Sequence, residues 1–133
     1  MPLKKILYAE DDLDIQEITI LVLQLIGGVE VTAYNDGFQA LSHVQAVKPD
    51  LIMLDVMMPV MDGPTTLAHL RADPETAYIP VVFFTARALP EDIAHYTALG
   101  ALGVIGKPID ATSLPQRIKE LWELHEQNLG QSE

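Results

Sequence analysis

Four places in this chain of 133 residues carry side chains that could do chemistry together. They are Glu10-Asp11-Asp12, Asp55, Thr85 and Lys107. Each follows a short apolar run, at residues 6–9, 51–54, 81–84 and 102–105. Such a run suits a strand buried on both faces, with the polar residue after it at the sheet edge. Open α/β sheets keep their ligands at the carboxyl edge. If the four ends meet there, carboxylates, a hydroxyl and an ammonium share one place. Carboxylates about 4 Å apart repel by roughly 4 kcal/mol per pair at an effective dielectric of 20. A hard divalent cation relieves that repulsion, and two or three carboxylates with open water positions suit Mg²⁺ better than Ca²⁺. An ammonium and a hydroxyl beside a metal make up the set that holds a transferring phosphoryl group. Asp55, lying between them, can act as the nucleophile and form an aspartyl phosphate.

Singly, none of these residues is specific. A strand-end aspartate caps the next turn as readily, a lone lysine is usually a solvated surface residue, and a threonine before a helix is commonly a cap. Their joint meaning depends on the elements that position them. After the first strand, Ile15, Ile18, Val22, Leu25 and Ile26 recur at helical spacing, and Gly27-Gly28 can stop that helix. Residues 29–34 alternate as a second strand. Asn35-Asp36-Gly37 is a turn and cap signal, and Phe38, Leu41, Val44 and Val47 stripe a second helix. Beyond the strand at 51–54, Pro59 and Asp62-Gly63 are turn chemistry. Pro64 fits the first turn of a third helix with Leu67 and Leu70, which Asp73-Pro74 breaks.

The fourth strand ends on Thr85, and Pro90-Glu91-Asp92 opens a helix carrying Ile93, Tyr96 and Leu99 that closes at Gly100. A weak fifth strand, 102–105, leads to Gly106-Lys107-Pro108. The last helix carries Leu114, Ile118, Leu121 and Leu124, and an N-cap at Thr112 or Ser113 puts Pro115 in its first turn. The pattern predicts a single domain over residues 1–127 and a polar tail over 128–133. Strands this apolar need cover on both faces, so the expected fold is α/β. It is a doubly wound, five-stranded parallel sheet of the flavodoxin-like (βα)5 kind, with strand order 2-1-3-4-5. In that order the first and third strands are neighbours, which brings Glu10, Asp11 and Asp55 together.

Composition narrows the function. The length allows one sizeable core, and 49% hydrophobic residues exclude disorder. A net charge of −11 argues against direct nucleic-acid binding, since nothing would neutralise phosphates. It suits a basic protein partner or divalent cations. The absence of cysteine removes disulfides, thiolate chemistry and cysteine-ligated zinc. The start has no signal-peptide core. The longest apolar stretch, 18–26, contains Thr19 and Gln24 and is too short to span a bilayer. A cytoplasmic protein without membrane insertion is the expectation.

Over about residues 4–124 the chain resembles the receiver domain of bacterial two-component response regulators, of the single-domain, chemotaxis-regulator kind. The resemblance rests on Glu10-Asp11, on Asp55-Val-Met-Met-Pro-Val-Met-Asp-Gly, on Thr85-Ala86 and on Lys107-Pro108. It implies that Asp55 accepts a phosphoryl group from a histidine kinase, a histidine phosphotransfer protein or a small phosphodonor. Asp11 and Asp55 would bind Mg²⁺ with the backbone carbonyl of Met57, and Glu10 would act mostly through water. Thr85 would turn to the phosphate, Lys107 would pair with it, and the bond before Pro108 would be cis. A downstream protein would read the surface of helix four, strand five and helix five. No turnover of a separate substrate is implied.

Departures from the family pattern stand beside these matches. The family usually has an aromatic switch residue three positions before the lysine, where this chain has Val104. Gln16 stands where many relatives carry arginine, a position given no importance here. Met57 and Arg87, two residues past Asp55 and Thr85, occupy places that in the family tune the lifetime of the acyl phosphate.

Other classes fit less well. An aspartate-nucleophile phosphatase needs an acid two residues after the nucleophile, and Met57 is there. A flavin carrier would need a phosphate loop after the first strand, where Glu10-Asp11-Asp12 repels phosphate. A receiver cut from a hybrid histidine kinase is a further alternative, disfavoured by the Met1 start. His43, His69, His95 and His125 read as surface or boundary residues. Met57, Met58 and Met61 read as packing under a loop, and Trp122 as a partly buried anchor.

Overall fold

The computed structural model describes residues 2–108 and 110–131. Strand and helix alternate in the order β1 (Lys5–Ala9), α1 (Leu13–Leu25), β2 (Glu30–Tyr34), α2 (Gly37–Val47), β3 (Leu51–Leu54), α3 (Gly63–Ala72), β4 (Val81–Thr85), α4 (Pro90–Ala98), β5 (Gly103–Gly106) and α5 (Ser113–Gln131). All pairings are parallel, and the strand order is β2-β1-β3-β4-β5, the flavodoxin-like arrangement. The register sets Ala9 against Leu54, Leu54 against Phe83 and Thr85 against Gly106. The polar residues that follow these strands therefore emerge on one edge.

The period of two along each strand divides the core. Leu7, Ile52, Leu54, Val81 and Phe83 face α2, α3 and α4. Ile6, Tyr8, Leu51, Met53, Val82 and Phe84 face Val22 and Leu23 of α1 and Leu114, Ile118 and Leu121 of α5. Three helices begin on aspartates whose carboxylates take up free N–H groups: Asp12, Asp36 and Asp62. Gly28 (φ +70°) and Gly100 (φ +110°) follow α1 and α4 in the left-handed conformation that glycine permits.

Several apolar stripes differ from the expectation. On α1 the buried residues are Thr19, Val22 and Leu23, while Ile18, Leu25 and Ile26 are exposed. This helix is apolar on more than one side, so spacing alone left two faces to choose from. On α2, Phe38 points outward and Gly37, Ala40 and Val44 make the contact. The approach to α3 there is close: a Cβ on Gly37 would collide with the Thr66 side chain. On α4 only Tyr96 is buried, and Ile93 and Leu99 are exposed. Leu124 of α5 is also exposed.

Helix α5 begins at Ser113, directly after Thr112, as the expected cap position requires, and Asp110 supplies the carboxylate that takes up the free N–H groups there. The Asp110 carboxylate accepts from the backbone N–H of Thr112 at 2.9 Å and of Ser113 at 3.2 Å. Bonds from the Thr112 hydroxyl and these N–H groups hold its pKa below the ordinary value. Residues 128–131 continue α5 instead of forming a tail, and Ser132 and Glu133 lie outside the described residues. Among the described residues no helix is long and apolar enough to cross a membrane.

Candidate functional site

Backbone bonds carry the sheet one residue past its strands and so fix the site. Asp55 N–H donates to Ala9 O at 3.1 Å, Glu10 N–H to Tyr34 O at 3.0 Å, and Lys107 N–H to Thr85 O at 2.8 Å. The loop after Asp55 is pinned by Gly63 N–H to Val56 O at 2.8 Å. A Cβ on Gly63 would overlap the Asp55 carbonyl oxygen and stand 2.9 Å from the Phe83 ring. Glycine at the first position of α3 thus lets that helix press against the strand end that bears Asp55.

On this frame Lys107 Nζ donates to Glu10 Oε1 at 2.6 Å and to Asp55 Oδ2 at 2.9 Å. Its ammonium also lies 5.4 Å from the centre of the Phe84 ring. Glu10 is buried, and its Oε1 accepts a second bond, from Tyr8 Oη at 3.0 Å. Its Oε2 accepts from Asp12 N–H at 3.3 Å. Asp55 is 8% exposed, with Oδ1 3.4 Å from Met57 N. Asp11 is exposed, and one carboxylate oxygen from each of Glu10, Asp11 and Asp55 lies within 4.8 Å of the others. This is the one group of three or more potential metal ligands among the described residues, and none of the four histidines belongs to it. Hard oxygen donors on a partly open edge fit Mg²⁺.

Thr85 is buried, and its hydroxyl accepts from Arg87 N–H at 3.1 Å. Ala86 and Arg87 are exposed on the loop that follows. The Lys107–Pro108 bond is cis, as expected. Val104 is buried on the α4 side of the sheet, near Phe83 and Tyr96. The Met57 side chain is 67% exposed, so it does not pack under the loop, whereas Met58 packs against the core.

The electrostatics follow from one ammonium shared by two acids. Burial pushes the Glu10 carboxyl above its usual range; the Lys107 bond opposes the rise, and Asp55 adds to it. Burial alone would lower the Lys107 pKa, but its bonds to Glu10 and Asp55 outweigh that and raise it. An isolated ion pair would lower the acid as it raises the base. Here the lysine gains from two carboxylates and cannot fully compensate Glu10. Burial raises the Tyr8 phenol far above its ordinary value; Thr19 opposes the rise, and Glu10 adds to it.

Two contributors escaped the sequence reading. Tyr8 lies two residues before Glu10 and therefore on the same strand face, a spacing that could have revealed it. Gln16, against the expectation that its position is unimportant, joins three neighbours. Its side-chain amide lies 2.9 Å from Glu10 O, 3.1 Å from Tyr34 O and 3.1 Å from Asn35 Oδ1, tying α1 to the ends of β1 and β2.

Two clefts, of about 720 Å³ beside Trp122 and Tyr78 and about 560 Å³ between α1 and α5, lie away from this cluster, and Asp55 lines neither. The cluster sits on an open edge of the sheet, with Asp11 exposed.

Comparison with known proteins agrees with this geometry. The chain is 36% identical over 114 residues to the transcriptional regulatory protein CseB of Streptomyces coelicolor, covering 86% of this chain and 47% of that protein. It is 34% identical over 116 residues to the DNA-binding response regulator MtrA of Mycobacterium tuberculosis, covering 87% and 49%. The chain thus spans about half the length of these curated relatives. Among solved structures, the chemotaxis response regulator CheY4 of Vibrio cholerae superposes with a TM-score of 0.82 at 29% identity, over 90% of this chain and 99% of that one. The receiver domain of a signal transduction histidine kinase from Syntrophus aciditrophicus gives 0.77 at 30% identity, over 89% of each. The response regulator receiver domain pattern matches residues 6–119, and the chain belongs to that family.

Proposed function

We propose that this receiver is a phosphorylation switch whose phosphoacceptor is Asp55. The observation that carries the reading is the shared ammonium: Lys107 Nζ reaches Asp55 Oδ2 at 2.9 Å beside a buried Glu10 and an exposed Asp11. In the reaction an Asp55 carboxylate oxygen attacks the phosphorus of a phosphohistidine on a histidine kinase or a phosphotransfer protein. The new O–P bond forms as the P–N bond breaks, and the released imidazole takes up a proton. Lys107 exchanges its contact with Asp55 for one with a phosphoryl oxygen, and the Thr85 hydroxyl leaves Arg87 N–H to donate to another. Glu10, Asp11, Asp55 and the Met57 carbonyl would hold Mg²⁺, which supplies charge neutralisation on the phosphoryl oxygens. The aspartyl phosphate is later hydrolysed at the same site, so the chain turns over no separate substrate. Ala86, Arg87, Val104 and Pro108 flank the site and tune the switch.

The output of this reading is a change in the α4-β5-α5 surface, read by a downstream protein in the cytoplasm. A net charge of −11 favours a protein partner over nucleic acid for this domain. The test is mass measurement after incubation with Mg²⁺ and acetyl phosphate. Wild type should gain a phosphoryl adduct and Asp55→Asn should not, while keeping its fold. An adduct that persists on another carboxylate overturns the assignment.

A further inference from the structure

Glu10 presents its two oxygens unequally. Oε1 accepts from Lys107 Nζ at 2.6 Å and from Tyr8 Oη at 3.0 Å, which uses its capacity for two good bonds. Among the described residues Oε2 accepts one longer bond, from the Asp12 N–H at 3.3 Å. Tyr8 is held firmly for this role. Its side chain is fully buried within the α1–α5 face of the core, with its ring 6.4 Å from that of Phe84 and tilted by 50°. Phe84 also lies beneath the Lys107 ammonium, at 5.4 Å. The phenol, the lysine and the ring under both therefore form one packed unit around Oε1.

We propose that Tyr8 is a positioning residue for Glu10. Its hydroxyl, with Lys107, occupies Oε1 and leaves Oε2 as the oxygen available to the Mg²⁺ shared with Asp11 and Asp55. The inference rests on the receiver reading above and adds to it a residue that touches neither metal nor phosphate. A carboxylate fixed by two donors on one oxygen cannot swing freely, so its other oxygen is presented in one orientation. Without the hydroxyl, Glu10 keeps Lys107 as the donor on Oε1. That lysine is also the group that must move when phosphate arrives.

The test is Tyr8→Phe, which keeps the ring and removes one oxygen, with folding checked by urea denaturation. Titration calorimetry with Mg²⁺ should show roughly tenfold weaker binding, the low end of what loss of such an outer partner costs. Acetyl phosphate kinetics should show the half-saturating Mg²⁺ concentration raised by a similar factor. The rate at saturating Mg²⁺ should stay within about twofold of wild type on the same reasoning. Unchanged Mg²⁺ affinity, or a fall in the saturated rate with half-saturation unchanged, would make Tyr8 a packing residue and overturn the inference, leaving the receiver reading intact. A wild type with no Mg²⁺ binding that Asp11→Asn removes would overturn both.

Discussion

Replacing Lys107 by methionine keeps most of the stem over Phe84 and removes the one cation that Glu10 and Asp55 share. Both contacts are short, 2.6 Å and 2.9 Å, and the side chains involved are 12%, 1% and 11% exposed. Solvent cannot replace the ammonium well at that burial. Carboxylate oxygens of Glu10 and Asp55 lie within 4.8 Å of each other, and at that limit they repel by about 3.5 kcal/mol at an effective dielectric of 20. Removing one partner of a buried pair usually costs about 3–5 kcal/mol. We expect a loss of about 3 kcal/mol at pH 7.5 in a chelator. At a urea slope of about 2 kcal/mol/M that is a midpoint lower by roughly 1.5 M.

The loss should depend on pH with a defined sign. The Glu10 carboxyl already stands above its ordinary value in the fold, and without the lysine it rises further. A group raised in this way favours the folded state fully below its unfolded value, about 4.3, and that contribution fades as pH climbs through the folded value. The deficit of Lys107→Met should therefore be small near pH 4.5 and grow toward pH 7.5. Urea denaturation of both proteins across that range is the assay. A deficit that does not change with pH, or one below about 1 kcal/mol at pH 7.5, would refute the shared-cation account, since it could not come from two uncompensated carboxylates.

At ten times its dissociation constant, Mg²⁺ should add about 1.4 kcal/mol to wild-type stability, and less in Asp11→Ala. An equal rise in melting temperature in both proteins would place the metal elsewhere. Gly63→Ala should cost about 2 kcal/mol, because its Cβ would run into the Asp55 carbonyl and the Phe83 ring. An unchanged urea midpoint would mean that the loop yields freely. With beryllofluoride and Mg²⁺, the amide resonances of residues 86–99 should shift. Changes confined to the loops at Asp11, Asp55 and Lys107 would count against movement of α4.

The sheet was legible because four apolar runs end on polar residues, and a doubly wound order follows from burial on both faces. The site was legible for the same reason: Glu10, Asp55 and Lys107 are each one step past a strand. Helix faces were harder to read. On α1, Ile18 and Leu25 look as buryable as Val22 and Leu23, and only the docking of the helix on β1, β2 and α5 decides between them. Phe38 misled because small residues, Gly37 and Ala40, are what a close helix contact needs. The helical extent of residues 128–131 and the Asp110 cap were hidden by polar composition, which suits an exposed helix end as well as a tail. Gln16 and Tyr8 act through single hydrogen bonds across elements, and periodicity carries no information about those.

In the switch proposed above, Val104 in place of an aromatic puts the mechanical demand on the loop after β4. The Thr85 hydroxyl is engaged by Arg87 N–H at 3.1 Å, so it cannot turn to a phosphate without releasing that N–H. Val104 is buried and has few rotamers, so it cannot follow by rotating. Ala88 packs against the same core cluster, and a Cβ on Gly106 would lie 3.3 Å from it, so the loop sits directly over β5. Beyond it, α4 is anchored by one buried side chain, Tyr96, edge-on to Phe83 at 5.2 Å. By contrast, α3 buries Gly63, Thr66, Leu67 and Leu70. Packed elements move between discrete arrangements, and the element with the fewest buried contacts moves at the lowest cost. If Thr85 turns to a phosphate as proposed, we expect its displacement to be relieved through residues 86–90 into α4, with Tyr96 as the pivot.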